Sequence, residues 1–312
     1  MLKDIKNVIN KSWYVLSFIL ILCFLSGLLL STVAYALRKA QVKAVEFDKN
    51  KQMLIATHVL NYNDIFLKRD NDTFVPAYYD VKAKILKPFS LGEKIVPLTM
   101  GAINEFSLAF IKSFVTDSQG NIFSLEEKNL TIDDFYSSKE KKNKGFYLFY
   151  VLLNTATGSS PITSKSLLSV PSPIASIIIP ISGFGLWSPI YGFLALENNG
   201  DTVLGTTWYL QGETPGLGAN ITDPSWQKQF YNKKVFLNSS GVTNFQTASL
   251  GINVIKGSVA ASLADSPKAS VSVDGISGAT LTCNGVTEAY ASSLKPYRQL
   301  LIKFHNLNGT NK

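Results

Sequence analysis

Residues 191–210 read YGFLALENNGDTVLGTTWYL and carry the clearest strand pattern in the chain. Two runs of apolar and β-branched residues, 191–196 and 202–210, flank the sequence Asn198-Asn199-Gly200-Asp201. An Asn-Gly pair favours a tight hairpin turn because both residues tolerate positive φ. The stretch therefore predicts two adjacent antiparallel strands.

Further strands are predicted before this hairpin, and helices after it. Residues 146–153 (FYLFYVLL) are dense in aromatic residues, and residues 177–179 (III) are typical of a buried strand. Residues 282–295 read as a helix preceded by a turn, and residues 296–304 as its continuation toward the C-terminus. This order predicts an α+β fold with an antiparallel sheet and flanking helices.

A single membrane span is predicted near the N-terminus. Residues 13–37 (WYVLSFILILCFLSGLLLSTVAYAL) contain no charge, and about 20 apolar residues suffice to cross a bilayer. The run is longer than the apolar core of a signal peptide, which favours an uncleaved anchor, although Ala34-Tyr35-Ala36 offers a cleavage-like pattern. Lysines and arginines flank both ends, so charge leaves the orientation open.

Four regions follow from these patterns. We expect a cytoplasmic tail at residues 1–12, the transmembrane helix at 13–37, a membrane-proximal α/β region at 38–144 and a C-terminal domain at 145–312. Residues 40–51 extend the anchor helix into the membrane-proximal region. Local patterns in that region also predict an amphipathic helix over residues 53–66 and short strands and turns over residues 73–95.

Composition excludes several function classes. The chain has 312 residues, of which 46% are hydrophobic and 17% charged, so it is neither disordered nor highly polar. Its net charge is +8, but the first 50 residues hold 7 basic and 3 acidic side chains and supply half of it. The body is thus only mildly basic, which argues against a nucleic-acid binder. Two cysteines and two histidines exclude a disulfide framework and a histidine-rich metal site.

The segment Asp274-Gly275-Ile276-Ser277-Gly278-Ala279-Thr280 is the most informative one for chemistry. Its two glycines allow the backbone to turn tightly, and its hydroxyls precede a predicted helix whose free amides favour an anion such as phosphate. Asp274 could orient a hydroxyl or hold a metal ion during a modification reaction. From composition alone, the segment is either a phosphate-binding turn or an ordinary glycine-rich loop with a Ser/Thr cap.

The pattern D-x-x-S-G-A-T resembles the acceptor motif on which a flavin transferase attaches flavin mononucleotide (FMN) to the final threonine. Two further segments agree with it, Gly212-Glu213-Thr214-Pro215-Gly216-Leu217-Gly218 and Gly185-Leu186-Trp187-Ser188. Behind one N-terminal membrane helix, these segments resemble the family of the C subunit of the Na⁺-translocating NADH:quinone oxidoreductase. The G subunit of the Rnf complex is related, but its chains are usually shorter, which favours the Na⁺-pump family.

The resemblance implies a set of flavin-site residues. Thr280 is the expected covalent FMN attachment site in a C-terminal FMN-binding domain, and Asp274 belongs to the modification motif. No metal ligand is expected. The remaining residues expected to bind the cofactor are Ser277, Gly278, Ala279, Glu213, Thr214, Gly216, Leu217, Trp187 and Lys256.

These roles differ from one residue to the next, and each has a plainer alternative. Glu213 and Thr214 would offer polar groups to the isoalloxazine edge, or Glu213 would lie exposed in a turn. Trp187 would stack near the ring or belong to the core. Lys256 would stabilise the reduced ring or the phosphate, or be an ordinary surface lysine. Cys283 is expected to be a plain thiol.

The resemblance also implies a function. The chain would relay single electrons through covalent FMN in an enzyme complex that transfers electrons from NADH to ubiquinone and moves Na⁺ across the bacterial inner membrane. Its C-terminal domain would be periplasmic. Because the sequence shows no dinucleotide fingerprint and no Cys-x-x-Cys, we expect no complete active site on this chain alone.

Expected partners follow from that role. They are the other subunits of the complex, including membrane subunits that carry flavin or an iron centre, the flavin transferase, and the lipid bilayer, with no nucleic acid. The Na⁺ path is expected in subunits with several spans. Two alternatives stay open, an Rnf-type electron-transport subunit and a non-redox membrane-anchored binding module of the cell envelope.

Overall fold

The structure, a computed structural model, describes residues 12–70, 73–90, 92, 98–136, 145–156, 163–169, 172–237 and 244–308. The chain divides into two compact units, Met1–Asp48 and Lys49–Lys312. Apart from Ser12, the predicted N-terminal tail lies outside the described residues.

The first helix, α1, runs from Ser12 to Ala56. Within the described residues it is the one helix that is long and apolar enough to cross a membrane. Apolar side chains between Trp13 and Leu37 are exposed, as lipid contact requires. The helix also includes residues 40–51, as predicted. These features fit a single-pass membrane anchor.

Helix α1 ends earlier than the pattern of residues 53–66 predicts. His58 has φ +57°, and this left-handed conformation cannot continue a right-handed helix. The predicted amphipathic helix over residues 53–66 is therefore wrong beyond Ala56. Its apolar residues Met53 and Ala56 pack into the core, while Phe66 opens the first strand.

A small antiparallel sheet follows α1. It contains β1 (Phe66–Asp70), β2 (Thr73–Asp80) and β3 (Ile85–Pro88) in that order. Helix α2, Met100–Phe110, leads directly into the main sheet. The predicted strands and turns of residues 73–95 are confirmed where the structure describes them.

The main sheet has six antiparallel strands in the order β5-β4-β6-β7-β8-β9. The predicted strands and hairpin belong to it, and the turn at Asn199 and Gly200 joins β8 to β9. The strands are β4 (Ile111–Thr116), β5 (Ile122–Phe123), β6 (Tyr147–Leu153), β7 (Ile174–Phe184), β8 (Pro189–Glu197) and β9 (Val203–Leu210).

Strand β7 tolerates Pro180 because its second half pairs on one side only. Pairing with β6 ends at Ile178, whereas pairing with β8 continues to Phe184. The open side is covered by a C-terminal helix, from which Ser293 accepts a hydrogen bond from the Ser182 amide and donates one to the Ser182 carbonyl. A proline is compatible with a strand where no ladder hydrogen bond is lost.

Both faces of the main sheet are buried. Alternate residues of β7 separate onto the two sides, with Ile177 and Ile179 in the larger core and Ile178 in the smaller one. The larger core includes the C-terminal helices, and the smaller one includes Met53 and Ala56. Burial on both faces explains why β7 is a continuous apolar run and not an alternating one.

The remaining α-helices and strands that the structure describes are three short helices, a pair of short strands and two longer helices near the C-terminus. Short helix α3 (Asp133–Tyr136) precedes β6, and α4 (Pro224–Gln227) follows β9. A two-stranded parallel pair joins β10 (Asn253–Ile255) to β11 (Ser272–Asp274), with α5 (Val259–Leu263) between them. Helices α6 (Thr280–Leu294) and α7 (Arg298–Asn308) complete the predicted α+β architecture.

The six-stranded sheet combines two of the predicted regions. Strands β4 and β5 lie in the expected membrane-proximal region, and β6 to β9 lie in the expected C-terminal domain. The boundaries proposed after residues 12, 37 and 144 stay a prediction.

Candidate functional site

The loop of residues 274–280 connects β11 to helix α6 and ends on an exposed threonine. Asp274 is the last residue of β11, and Thr280 is the first residue of α6. A turn within the loop is closed by the Ala279 amide, which donates to the Ile276 carbonyl at 3.1 Å. The loop thus presents the Thr280 hydroxyl at the start of a 15-residue helix, where backbone amides lack helical partners.

Two glycines let this loop run close to its neighbours. Gly278 has φ +75°, and a Cβ built there would lie 2.9 Å from Cδ2 of Leu217. A Cβ at Gly275 would lie 2.4 Å from the carbonyl oxygen of Ile255. The glycine spacing therefore reflects tight packing on both sides of the loop, in addition to the conformational freedom expected from the sequence.

Thr280 lies where two clefts meet. Gly278 and Thr280 line both of them. The larger cleft, about 500 Å³, extends along residues 254–258 and 274–278 and also includes Cys283 and Asn284. The smaller cleft, about 190 Å³, lies toward the segments at residues 186–187 and 213–218.

Part of the lining of the smaller cleft is apolar and exposed. Trp187 is 67% exposed, and Leu186, Leu217 and Leu281 are exposed as well. The alternative that Trp187 belongs to the protein core is therefore wrong. Exposed apolar groups around a cleft are typical of a surface that a flat ligand or a partner covers.

Glu213 is buried, so the alternative of an exposed turn residue is wrong. Its carboxylate accepts hydrogen bonds from the amides of Leu186, Trp187 and Ser188 and from the hydroxyl of Thr282. Although burial opposes this, these hydrogen bonds hold the pKa of Glu213 below its ordinary value. Its expected contact with the isoalloxazine edge stays a prediction.

Asp274 has a structural contact of its own. Its Oδ1 accepts a hydrogen bond of 2.7 Å from the Val259 amide at the start of α5, and its carbonyl accepts one from Trp226 Nε1 at 2.9 Å. Lys256 is exposed in the same cleft, on the segment just after β10. The larger cleft thus contains one carboxylate and one lysine near the loop of residues 274–280.

The structure brings most of the predicted residues together around Thr280. Gly216 is the exception, because it lines neither cleft and occupies an exposed turn with φ +76°. Asp274, Ser277 and Lys256 line the larger cleft. The smaller cleft includes the predicted residues Ala279, Glu213, Thr214, Leu217 and Trp187.

Several lining residues were not among the predicted site residues. Thr282 is the most informative of them, since it is buried and bonded to Glu213. Its position two residues after Thr280 was the available signal. Further examples are Leu186, Gly218 and Leu281 in the smaller cleft and Val254, Ile255, Gly257, Ser258 and Asn284 in the larger one.

Cys283 lies beneath the loop as a buried thiol, as expected. Its Sγ accepts a hydrogen bond from the Ile276 amide, and burial raises its pKa. Among the residues that the structure describes, no cluster of His, Cys, Asp and Glu side chains has the arrangement of a metal site.

Known proteins resemble the chain over nearly its full length. The C subunit of the Na(+)-translocating NADH-quinone reductase of Chlamydia pneumoniae is 48% identical over 308 residues, covering 97% of this chain and 96% of that protein. The Chlamydia caviae protein of the same name is 49% identical, with the same coverage of both chains. The chain belongs to this C-subunit family.

The family has a recognisable flavin-binding part. Residues 185–295 match the FMN-binding domain family and include Thr280 with most of the lining of both clefts. The C subunit of Vibrio anguillarum is 46% identical over 117 residues, which are 38% of this chain and 40% of that protein. Similarity to this more distant relative is thus confined to about a third of the molecule.

Solved structures of C subunits share the fold. The protein from Parabacteroides distasonis has a TM-score of 0.50 at 24% identity, covering 85% of this chain and 96% of that one. NqrC of Shewanella oneidensis has a TM-score of 0.52 at 20% identity, covering 84% and 99%. The α+β prediction is confirmed.

The C-subunit family is the one that the sequence motifs predicted, and it is an oxidoreductase family, as expected. Neither the Rnf-type subunit nor the non-redox envelope module gains a supporting observation. The individual roles of the predicted site residues stay predictions.

Proposed function

We propose that this chain is the electron-transferring C subunit of a Na⁺-translocating NADH:quinone oxidoreductase and carries FMN in phosphoester linkage on Oγ1 of Thr280. The observation that carries the proposal is the exposed Thr280 hydroxyl at the junction of two clefts, within the segment that matches the FMN-binding domain family. The full-length similarity to C-subunit relatives supports the role in the complex.

The residues around Thr280 suit an esterified phosphate. Gly278 adds no side chain to either cleft, and the first amides of α6 favour a negative charge. Lys256 lines the same cleft and adds a positive charge. These groups would hold the phosphate while Thr280 supplies the bridging oxygen.

The smaller cleft suits the flat isoalloxazine ring. Its exposed side chains Trp187, Leu217 and Leu281 would be covered by an aromatic ring, which favours stacking. When bound, FMN supplies the capacity to accept and release electrons one at a time. The protein's part is to bind and orient the ring and to shield one of its faces from water.

The expected partners take the roles for which this chain has no motif. The sequence contains no dinucleotide fingerprint and no Cys-x-x-Cys, so we assign NADH oxidation and any iron centre to other subunits. Within the described residues there is one membrane-spanning candidate, so we also assign the Na⁺ path to subunits with several spans. A flavin transferase would load Thr280, and α1 would anchor the domain on the periplasmic side of the bacterial inner membrane.

Intact mass distinguishes Thr280 from the other exposed hydroxyl of the loop. The full chain is produced together with a flavin transferase, purified in detergent and weighed. We expect the native chain to gain one FMN less one water. Thr280→Ala should abolish this gain, because the accepting oxygen is gone, and Ser277→Ala should retain it.

Visible absorbance after denaturation and precipitation provides the second readout. Covalent flavin stays with the protein pellet, whereas bound but unlinked flavin is released. A Thr280→Ala chain that still gained the mass would show that another residue is the acceptor. A native chain of unmodified mass would overturn the proposal.

A further inference from the structure

We propose that Glu213 is the positioning residue of the smaller cleft: its carboxylate ties the loop that carries Trp187 to helix α6, two residues after Thr280. The inference rests on the proposed function, because the cleft that it organises is the one assigned to the flavin ring. In this proposal the Glu213 side chain acts on the ring indirectly, by holding the cleft, and not by direct contact.

The hydrogen bonds of the carboxylate join segments that are distant in sequence. Oε1 accepts from the amides of Trp187 at 2.9 Å and Ser188 at 3.1 Å. Oε2 accepts from the Leu186 amide at 2.9 Å and from the Thr282 hydroxyl at 2.7 Å. Each oxygen therefore has two protein donors, and Oε2 is shared between the loop and the helix.

The backbone packs so closely around the carboxylate that two neighbouring positions have no room for a side chain. A Cβ at Gly185 would lie 2.6 Å from Oε1 of Glu213. A Cβ at Gly218 would lie 2.5 Å from the Thr282 hydroxyl oxygen and 3.0 Å from Oε2 of Glu213. Glycine on both sides allows the backbone to close over a residue that is only 6% exposed.

Burial of apolar side chains contributes little to the position of this loop. Leu186 and Trp187 are both exposed, so their side chains do not hold the segment against the core. Ser188 contacts a second segment through its Oγ, which accepts from the Gly212 amide at 2.6 Å, and its carbonyl accepts from the Gly185 amide at 2.8 Å within the turn. The backbone pairing of β7 with β8 closes the loop at its ends, and the three amides bonded to Glu213 tie its tip to the rest of the site.

Charge makes that tie strong. Hydrogen bonds to an ionised acceptor are about twice as strong as those between neutral groups. The lowered pKa of Glu213 agrees with an ionised carboxylate at neutral pH. A glutamine at this position would have the same shape, but its amide nitrogen cannot accept hydrogen bonds from backbone amides.

Amide hydrogen exchange in the flavin-free chain tests this role without any cofactor. We expect Glu213→Gln to speed exchange of at least one of the amides of Leu186, Trp187 and Ser188 by about 10- to 100-fold, the range that corresponds to one hydrogen bond to a charged group. Amides of residues 177–179 in the sheet should be unchanged. Glu288→Gln removes an exposed carboxylate from helix α6 and serves as the matched control.

Thr282 provides a second variant that keeps the carboxylate. Thr282→Val removes one of the four hydrogen-bond donors to the Glu213 carboxylate and should also speed exchange of the loop amides. Thr282→Ser keeps a hydroxyl donor and should show the native exchange rate. If Glu213→Gln also speeds exchange of the sheet amides at residues 177–179, the comparison of Thr282→Val with Thr282→Ser tests the inference instead. The inference would be overturned if Glu213→Gln left the exchange rates of the loop amides unchanged. It would also be overturned if Thr282→Val exchanged no faster than Thr282→Ser and the native chain.

The spectra of the FMN-carrying chain provide a measurement that a purely structural role of Glu213 would leave unchanged. Glu213→Gln should still gain the FMN mass, because Thr280 is intact, but its flavin should fluoresce more strongly and show weaker visible circular dichroism than in the native chain. Identical flavin spectra in the two chains would overturn the positioning role and leave the proposed function standing. A native chain without FMN would instead refute the proposed function, and the exchange result would remain interpretable.

Discussion

Gly278 combines two constraints in the loop that leads to Thr280, and Gly216 shares only one of them. Both have φ near +75°. A Cβ at Gly278 would come within 2.9 Å of Leu217, whereas a Cβ at Gly216 would have no atom within 4 Å. Alanine substitutions at these two glycines therefore distinguish the free-energy cost of a left-handed backbone from the cost of crowding the site.

We expect Gly278→Ala and Gly216→Ala to lower the free energy of unfolding by a similar backbone contribution of about 1 kcal/mol. Only Gly278→Ala should also reduce FMN loading, because the added methyl displaces the Leu217 side chain that lines the smaller cleft. Thermal unfolding and intact mass measure the two effects. Equal loading of both variants would show that the contact with Leu217 has no bearing on the site.

Close packing of helix α6 on strand β7 sets the position of the helix that begins at Thr280. A Cβ at Gly285 would lie 2.1 Å from the carbonyl oxygen of Phe184, and a Cβ at Gly183 would lie 2.5 Å from the Cβ of Ala289. Helix and strand thus approach each other through two glycines. The end of β7 leads directly into the loop that carries Trp187, so this packing helps to set the position of that loop relative to Thr280.

Gly285→Ala should destabilise the chain by about 2 kcal/mol, because a backbone carbonyl cannot move aside as a flexible side chain can. Glu288→Ala, on the exposed face of the same helix, should change stability by less than about 0.5 kcal/mol. Chemical unfolding followed by circular dichroism measures both. Similar midpoints for the two variants would mean that α6 does not pack on β7 in the way described.

At the scale of the whole molecule, the proposed periplasmic location of the body can be tested by labelling, whereas charge alone leaves the orientation open. Ser262 is exposed on helix α5, while the native Cys283 is buried and Cys23 lies in the apolar span. A Ser262→Cys chain therefore presents one accessible thiol. A membrane-impermeant maleimide should label it in bacteria whose outer membrane alone is permeabilised.

The native chain, with Cys23 and Cys283 only, controls for background labelling in the same cells. Because the body is proposed to be periplasmic, labelling of Ser262→Cys should not increase after the inner membrane is broken. Labelling that appears only after that step would place the body in the cytoplasm and contradict the proposed localisation.

The parts that could be predicted from sequence are those that depend on neighbouring residues. The anchor follows from the length of one uncharged run, and the hairpin from an Asn-Gly pair between two strand patterns. The loop of residues 274–280 is visible as a motif ending at Thr280. The helix predicted over residues 53–66 is wrong because the left-handed conformation of His58 ends it, and periodicity does not show that.

Only the tertiary structure decided how these pieces meet. Glu213 bonds to Leu186, 27 residues before it, and to Thr282, 69 residues after it, and no local pattern selects such partners. The same holds for the parallel pairing of β10 with β11 and for the two clefts that share Thr280. Local rules determine which residues turn, span or pair with near neighbours, whereas a buried carboxylate takes the donors that the packed chain brings within about 3 Å.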